Sequence, residues 1–235
     1  MRRIRAQRIG TRFTFISKFL IPENVTCDGN KHTIAYPKAG SCENAFVEIF
    51  LDDGYCLDRL KNEPIKRVLD VGANIGLFSI AARMHFPEAV IHSYEPNAQL
   101  EPVLKQNSLN AGFQFFIEAV GDRNSKCSMK YSEGGSCMDQ VTEDKNGAVQ
   151  QIALRDAVRR LGGADLVKLD CEGYEWRIMN EKDAWRDVKF LTMEYHFVPQ
   201  RHSIAELEDT VKKLRFKILR RRKVDGYSGL LLAGR

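Results

Sequence analysis

Residues 68–79 read VLDVGANIGLFS, an apolar segment that passes through two glycines into a second apolar segment. The first part predicts a buried strand, and the apolar spacing from Gly76 onward predicts a helix. Gly72 and Gly76 allow a tight turn between the two elements, because glycine adopts positive φ angles and lets a ligand approach the backbone. A strand, a glycine turn and a helix in this order are typical of nucleotide sites.

The turn differs from the phosphate-binding versions of this unit. A G-x-G-x-x-G motif starting at Gly72 would need glycines where Asn74 and Leu77 stand, and no Walker A lysine follows. What remains is an acidic strand residue, Asp70, ahead of Gly72 and Gly76. This pattern suits a cofactor that carries an amino acid and a cationic centre rather than phosphates, and S-adenosylmethionine is such a cofactor.

The chain beyond this unit alternates predicted strands and helices. Strands are predicted over residues 89–94, 113–120, 165–170 and 190–197, and helices over residues 97–111 and 204–215. Further segments are predicted as short strands at 126–132 and 149–152, a flexible loop at 134–136, and a terminal hairpin at 216–224 and 229–233. This alternation predicts an α/β fold with a mostly parallel sheet and helices on both faces.

Acidic residues stand at the ends of four predicted strands. They are Asp70, Glu95, Asp170 and Glu194. Ligands of an open parallel sheet bind beyond the carboxyl ends of its strands, so we expect these acids to face one crevice. Glu95 is expected to accept the ribose hydroxyls, or otherwise to cap the next helix. Asp70 is expected to lie near the cofactor's amino group or to order the glycine turn.

Four motifs follow one another in the chain: DVGANIG at 70–76, YEPN at 94–97, VKLDCEGYE at 167–175 and MEYH at 193–196. Together they resemble the FkbM family of S-adenosylmethionine-dependent methyltransferases. The resemblance implies a Rossmann-like class I methyltransferase, with a seven-stranded, mostly parallel sheet, helices on both faces and an antiparallel C-terminal hairpin. It also implies S-adenosyl-L-methionine as the cofactor and O-methylation of a sugar, glycan or secondary metabolite.

The expected cofactor contacts come from the glycine turn, the acidic turn and two further strand ends. They are Asp70, Gly72, Ala73, Asn74, Gly76, Glu95, Pro96, Ala119, Val120 and Asp170. Ala119 and Val120 stand where an adenine ring is expected to lie. Asn74 is expected either to hydrogen-bond the cofactor's carboxylate or only to tolerate a left-handed backbone.

The expected catalytic residues are Asp170, Glu172, His196 and Lys168. Asp170 is the candidate for removing or orienting the acceptor's hydroxyl proton, and His196 is either the alternative base or a packing residue. Lys168 points to the same side of its strand as Asp170 and needs an acidic partner. Glu172 is expected to bind the acceptor, and binding of a divalent cation together with Asp170 is the less favoured alternative. Two carboxylates without a third ligand, and cysteines without C-x-x-C spacing, predict no metal site.

The net charge of +5 is concentrated in two basic clusters, within residues 2–18 and within residues 212–223. Such clusters attract nucleic acid, membrane headgroups or acidic glycans, or they form solvated faces. A nucleic-acid methyltransferase acting on RNA is therefore the alternative enzyme. Against it, Asp170 is followed by Cys-Glu-Gly and not by the Asn/Asp-Pro-Pro-aromatic motif that holds a base. A non-catalytic cofactor-binding protein is the third alternative.

The length of 235 residues suits one α/β domain. We expect residues 1–60 to be an N-terminal extension that packs on the core and residues 61–235 to be the methyltransferase domain. The basic and apolar stretch before Pro22 lacks a signal-peptide cleavage pattern, so a cytoplasmic location is expected, with peripheral membrane contact as an alternative. No apolar run is long enough to span a membrane.

Overall fold

The computed structural model describes residues 2–11, 21–27, 30–37, 42–131, 139–197 and 201–235. The helices are α1 Arg2–Arg8, α2 Glu43–Phe46, α3 Leu57–Leu60, α4 Leu77–His85, α5 Glu101–Ala111, α6 Leu154–Leu161, α7 Glu175–Met179 and α8 Ile204–Lys213. The strands are β1 Asn24–Cys27, β2 Asn30–Thr33, β3 Arg67–Val71, β4 Val90–Tyr94, β5 Gln114–Phe116, β6 Ala119–Gly121, β7 Ser125–Lys130, β8 Gln140–Glu143, β9 Val149–Ala153, β10 Leu166–Leu169, β11 Phe190–His196, β12 Lys217–Lys223 and β13 Ser228–Gly234. A π-helical turn covers Val47–Leu51, and 3₁₀ turns cover Ala98–Leu100 and Lys182–Trp185.

The central sheet has the strand order β12-β13-β11-β10-β3-β4-β5. The five strands from β11 to β5 run parallel, and β13 lies antiparallel to both β11 and β12. The carboxyl ends of β3, β4, β10 and β11 therefore meet at one edge of the sheet. This topology confirms the predicted seven-stranded, mostly parallel sheet with an antiparallel C-terminal hairpin.

Helices cover both faces of this sheet, and successive strand residues pack into two separate cores. In β3, Val68 packs in the core that contains Phe78 of α4. The next residue, Leu69, packs in the core that contains Val211 of α8. Side chains of a strand alternate between its two faces, so a strand buried on both sides is apolar along its whole length.

The segment 113–120, predicted as one strand, forms two strands in different sheets. β5 extends the central sheet beside β4, whereas β6 pairs with β9 in a second sheet of order β6-β9-β7-β8. The chain bends at Ile117, and Glu118 forms an ion pair of 2.7 Å with Arg160 of α6. The single-strand prediction is wrong because an apolar pattern does not mark a bend between two sheets. The predicted loop at 134–136 lies outside the described residues.

Residues 43–60, the N-terminal layer, are mostly helical and pack on α4, and α1 packs on this layer. Arg2 of α1 pairs with Asp52 at 2.5 Å, and Arg5 pairs with Asp58. The layer therefore neutralises part of the basic N-terminal cluster. Among the described residues, every helix is too short or too polar to cross a bilayer.

Candidate active site

The turn after β3 requires glycine because of its backbone and its neighbours. Gly72 has a φ of +77°, and a Cβ atom there would lie 1.8 Å from the carbonyl oxygen of Asp170. Gly76 has a φ of +85°, and its Cβ would lie 2.7 Å from the ring of Phe113. Asn74 also adopts a positive φ, of +50°. The glycines therefore let β3, β10 and the following helix pack closely at the edge where ligands bind.

Glu95 holds this turn from the neighbouring strand end. Its Oε2 accepts the backbone N–H of Asn74 at 2.7 Å, and its Oε1 accepts the backbone N–H of Asn97 at 2.9 Å. Burial raises the pKa of Glu95 to about 7, although the two backbone hydrogen bonds act in the opposite direction. Each carboxylate oxygen can accept a second hydrogen bond, so both remain available to a ligand hydroxyl.

Asp70 and Lys168 form a buried pair beneath the glycine turn. The Lys168 Nζ lies 3.3 Å from Asp70 Oδ1 and donates to the carbonyl oxygen of Gly72 at 2.6 Å. Asp70 Oδ2 accepts the hydroxyl of Ser79 at 2.7 Å. Burial lowers the pKa of Lys168, but the neighbouring carboxylates of Asp70 and Asp170 outweigh it and raise the pKa overall. Lys168 is therefore charged, and it ties the turn to β10.

Asp170 follows β10 and accepts a hydrogen bond from a residue of the N-terminal layer. The hydroxyl of Tyr55 donates to Asp170 Oδ2 at 2.8 Å, and Lys168 Nζ lies 3.6 Å from the same oxygen. Tyr55 is buried, and its ring packs edge-on against Phe78. Burial and the charge of Asp170 raise the pKa of Tyr55 well above its ordinary value, so the phenol keeps its proton.

His196, the last residue of β11, lies among three glutamates. Its Nδ1 lies 3.3 Å from Glu175 Oε1, and its Nε2 lies 3.6 Å from Glu172 Oε2 and 3.7 Å from Glu194 Oε1. Burial lowers the pKa of His196, but the hydrogen bond and charge of Glu175 together with its other acidic neighbours raise it to about 10. A histidine that is protonated at neutral pH suits the role of general base less well than Asp170 does.

Burial also acts on the carboxyls of this region. It raises the pKa of Glu172 to about 7 and that of Glu194 to about 8. Glu48 of the N-terminal layer behaves in the same way, with burial and then the charge of Asp170 raising its pKa to about 7. The acidic side chains are therefore crowded in a partly dehydrated space.

These groups line one cavity of about 850 Å³. Its walls are the glycine turn, the acidic turn after β4, the ends of β10 and β11, part of the second sheet and the N-terminal layer. All the predicted cofactor and catalytic residues line it except Asp70 and Gly76, which lie beneath its wall. Asp70 does not reach the cavity because its carboxylate faces Ser79 and Lys168. The volume is in the range of small-molecule cofactor sites.

Three residues of this region were missed by the sequence reasoning: Tyr55, Glu48 and Glu175. Tyr55 and Asp170 are 115 positions apart in the chain, and no local pattern links them. Glu175 begins α7 and accepts the backbone N–H groups of Cys171 and Gly173, at 2.7 Å and 3.0 Å. The acidic run after β10 was a signal for Glu175, but its contact with His196 depends on the fold.

Two curated relatives share part of their length with this chain. The 31-O-demethyl-FK506 methyltransferase FkbM of Streptomyces tacrolimicus is 34% identical over 105 residues, which cover 45% of this chain and 38% of that protein. Methyltransferase sdnD of Sordaria araneosa is 30% identical over 168 residues, which cover 64% of this chain and 60% of that protein. The match therefore spans less than two thirds of either relative.

A solved structure has the same fold. The crystal structure of precorrin-6y C5,15-methyltransferase from Geobacter metallireducens GS-15 matches with a TM-score of 0.50 and 12% identity, over 85% of this chain and 93% of that one. At this identity the likeness concerns the fold alone.

The family comparison covers the glycine turn, the acidic turn, β10, β11 and the catalytic candidates. Residues 70–218, more than half of the chain, match the methyltransferase FkbM domain. Membership of this family implies the use of S-adenosylmethionine. The chain therefore belongs to the FkbM methyltransferase family.

Proposed function

We propose that this enzyme transfers a methyl group from S-adenosylmethionine to a hydroxyl group of a sugar, glycan or secondary metabolite. The observation that carries the proposal is the position of Asp170. Its carboxylate lines the same cavity as the glycine turn and Glu95, at the strand end where the two substrates would meet. The name of one relative, which describes an O-demethyl compound, agrees with a hydroxyl acceptor.

The cavity has groups that suit each part of S-adenosylmethionine. Glu95 would accept the ribose hydroxyls, and the apolar side chains of Ala119 and Val120 would lie against the adenine ring. The glycine turn with Asn74 would hold the amino-acid end. The cofactor supplies a methyl group on a positively charged sulfur, and a cavity lined by carboxylates favours such a charge.

Asp170 would accept the proton of the acceptor hydroxyl. The Tyr55 hydroxyl and Lys168 both approach Oδ2 of this carboxylate, at 2.8 Å and 3.6 Å, and they hold it in one orientation. A positioned general base typically contributes a factor on the order of 10² to 10⁴ in rate. Lys168 acts as a positioning residue in this account, because it is buried and charged.

The charge of the cavity favours a small-molecule acceptor over RNA. Glu48, Glu172 and Glu194 line the cavity, and they offer no cation to a phosphate backbone and would repel it in their ionised forms. No residue of the basic cluster at 212–223 lines it, and Arg222 of that cluster lies 3.9 Å from Glu48 and 3.8 Å from Asp52. The basic cluster therefore does not extend into the place where methyl transfer would occur.

The test is transfer of a labelled methyl group to a panel of hydroxyl compounds and, in parallel, to RNA. We expect a methylated hydroxyl compound, and we expect Asp170→Asn to reduce its turnover by roughly 10²-fold or more. The control is Asp183→Asn, which changes an exposed carboxylate in the 3₁₀ turn at Lys182–Trp185. Methylation of RNA but of no hydroxyl compound, or full activity of Asp170→Asn, would contradict the proposal.

A further inference from the structure

A mixed set of oxygen and nitrogen donors meets at the ends of β10 and β11. Single donor atoms of Asp170, Glu172 and His196 all lie within 4.8 Å of one another. All three side chains are about a quarter exposed or less and line the cavity described above. The sequence offered only the two carboxylates, and the fold adds the imidazole as a third candidate ligand.

The imidazole is oriented by a fourth side chain. Glu175 is completely buried, and its Oε1 lies 3.3 Å from His196 Nδ1. This contact leaves Nε2 facing the cluster, at 3.6 Å from Glu172 Oε2 and 3.7 Å from Glu194 Oε1. Metal-binding histidines are commonly held in this way, by a carboxylate on the ring nitrogen that does not bind the metal.

The spacing of the three donor atoms is close to that of ligands bound to one metal ion. Ligand atoms at about 2.1 Å from one metal ion are separated by roughly 3 to 4 Å from each other. The distance of 3.6 Å between His196 Nε2 and Glu172 Oε2 already lies in this range. All pairs of donor atoms lie within 4.8 Å, so a shift of about 1 Å or less brings them to the spacing of ligands on one ion. The Glu172 side chain is partly exposed, which leaves it room for such a shift.

Acidic side chains outnumber basic ones around these three residues. Glu194 lies 3.7 Å from His196 and Glu48 lines the same cavity, while Lys168 is shared between Asp170 and the buried Asp70, and Arg222 lies 3.9 Å from Glu48. Partly buried carboxylates in close proximity repel one another and favour binding of a cation.

We infer that Asp170, Glu172 and His196 bind a divalent first-row metal ion such as Mn²⁺, which on binding displaces a proton from His196 Nε2 into solvent. Carboxylates suit Mn²⁺ and Mg²⁺, whereas an imidazole ligand favours the transition metals, so the mixed set disfavours Mg²⁺ and Ca²⁺. On the basis of the proposed function, the ion would contact the acceptor hydroxyl, polarise its O–H bond and fix its oxygen in the cavity, with one oxygen of Asp170 on the ion and the other left to accept the proton. It would also select acceptors with a second oxygen able to reach the ion.

The test is titration of the protein with Mn²⁺ alone, followed by the electron paramagnetic resonance signal of free Mn²⁺. We expect one saturable site, from which Zn²⁺ displaces Mn²⁺ more readily than Mg²⁺ does. Glu172→Gln and His196→Gln should each weaken binding by roughly tenfold or more. Glu48→Gln is the matched control, because it removes a carboxylate of the same cavity outside the ligand set. Thermal unfolding checks that each variant is folded.

Saturable binding that depends on Glu172 and His196 much more than on Glu48 would support the site. The absence of saturable binding, or equal weakening by all three substitutions, would overturn it. The titration contains neither cofactor nor acceptor, so its outcome is separate from that of the methyl-transfer assay. Mn²⁺ binding without transfer to any hydroxyl would count against the proposed function only.

Discussion

At the scale of single residues, the lack of a side chain at Gly72 lets the end of β3 approach the end of β10 closely. Gly72 has no Cβ, and the carbonyl oxygen of Asp170 occupies the place where that atom would lie. The same contact brings the Asp170 carboxylate to the edge of the glycine turn. The conformation of one glycine therefore sets both the packing of the sheet and the position of the proposed base.

Gly72→Ala should destabilise the protein by more than about 2 kcal/mol, because it adds a steric clash to the cost of a positive φ. Gly112→Ala is the matched control: Gly112 has a similar φ of +67°, but its Cβ would have no neighbour within 4 Å. We expect the control to lose only about 1 kcal/mol. Urea unfolding of both variants measures the difference, and equal losses would contradict the clash.

Tyr55→Phe should lower turnover by roughly tenfold while leaving the affinity for S-adenosylmethionine unchanged. The substitution removes the hydroxyl that donates to Asp170 Oδ2 at 2.8 Å but keeps the ring that packs on Phe78. Steady-state kinetics and calorimetry separate the two effects. A lower cofactor affinity with unchanged turnover would show that Tyr55 does not act through Asp170.

At the scale of elements, the N-terminal layer joins α1 to α4 through one carboxylate. Asp58 pairs with Arg5 of α1 and lies 3.0 Å from His85 Nε2 at the end of α4. Burial lowers the pKa of His85, but the hydrogen bonds to Asp58 and to the Ala81 carbonyl outweigh it and raise the pKa overall. The His85–Asp58 pair therefore stabilises the fold below the unfolded pKa of histidine and is lost as pH rises through the folded pKa.

Asp58→Asn should destabilise the protein more at pH 6 than at pH 9. The pair is partly exposed, so we expect a difference of about 1 kcal/mol or less. Asp52→Asn is the control, because Asp52 pairs with Arg2 and Arg222, whose charges do not change in this range. Urea unfolding at both pH values measures the free energy of unfolding of each variant. An equal loss for Asp58→Asn at pH 6 and pH 9 would show that the His85–Asp58 ion pair does not contribute to stability.

The elements also show which features the sequence could predict. Strands buried on both faces have continuous apolar runs. The β3 and β11 segments, and the parallel direction of the central strands, were therefore predictable. The bend at Ile117 and the short strand β8 were not, because the pairing that stabilises them involves distant segments. In the site, strand ends predicted Asp170 and His196, but Tyr55 and Glu175 reach these residues only through tertiary packing.

At the scale of the whole molecule, charge is separated between the surface and the cavity. The chain carries a net charge of +5, yet the cavity wall includes Glu48, Glu172 and Glu194. The cavity itself combines strand ends of the central sheet with the second sheet and the N-terminal layer. The cofactor and the acceptor would thus meet in a cavity whose walls come from the central sheet, the second sheet and the N-terminal layer.

The central claim is that this cavity binds S-adenosylmethionine. If it does, the affinity for S-adenosylmethionine should depend on Glu95 and therefore on pH. The pKa of Glu95 is raised to about 7, so a larger fraction of the carboxylate is ionised as pH rises from 6 to 8. The ionised form accepts ribose hydroxyls best, so binding should strengthen over this range. In the free protein the raised pKa lowers the stability as pH rises from the unfolded pKa of glutamate to about 7, because the buried carboxyl must then be folded in its charged form.

Calorimetric titration with S-adenosylmethionine at pH 6 and pH 8 is the most direct test. We predict saturable binding that is tighter at pH 8, roughly tenfold or more weaker in Glu95→Gln, and unchanged in the exposed-residue control Glu88→Gln. The pH dependence should disappear in Glu95→Gln. A folded protein that gives no saturable binding, or a Glu95→Gln variant that binds as tightly as the unaltered chain, would contradict the account.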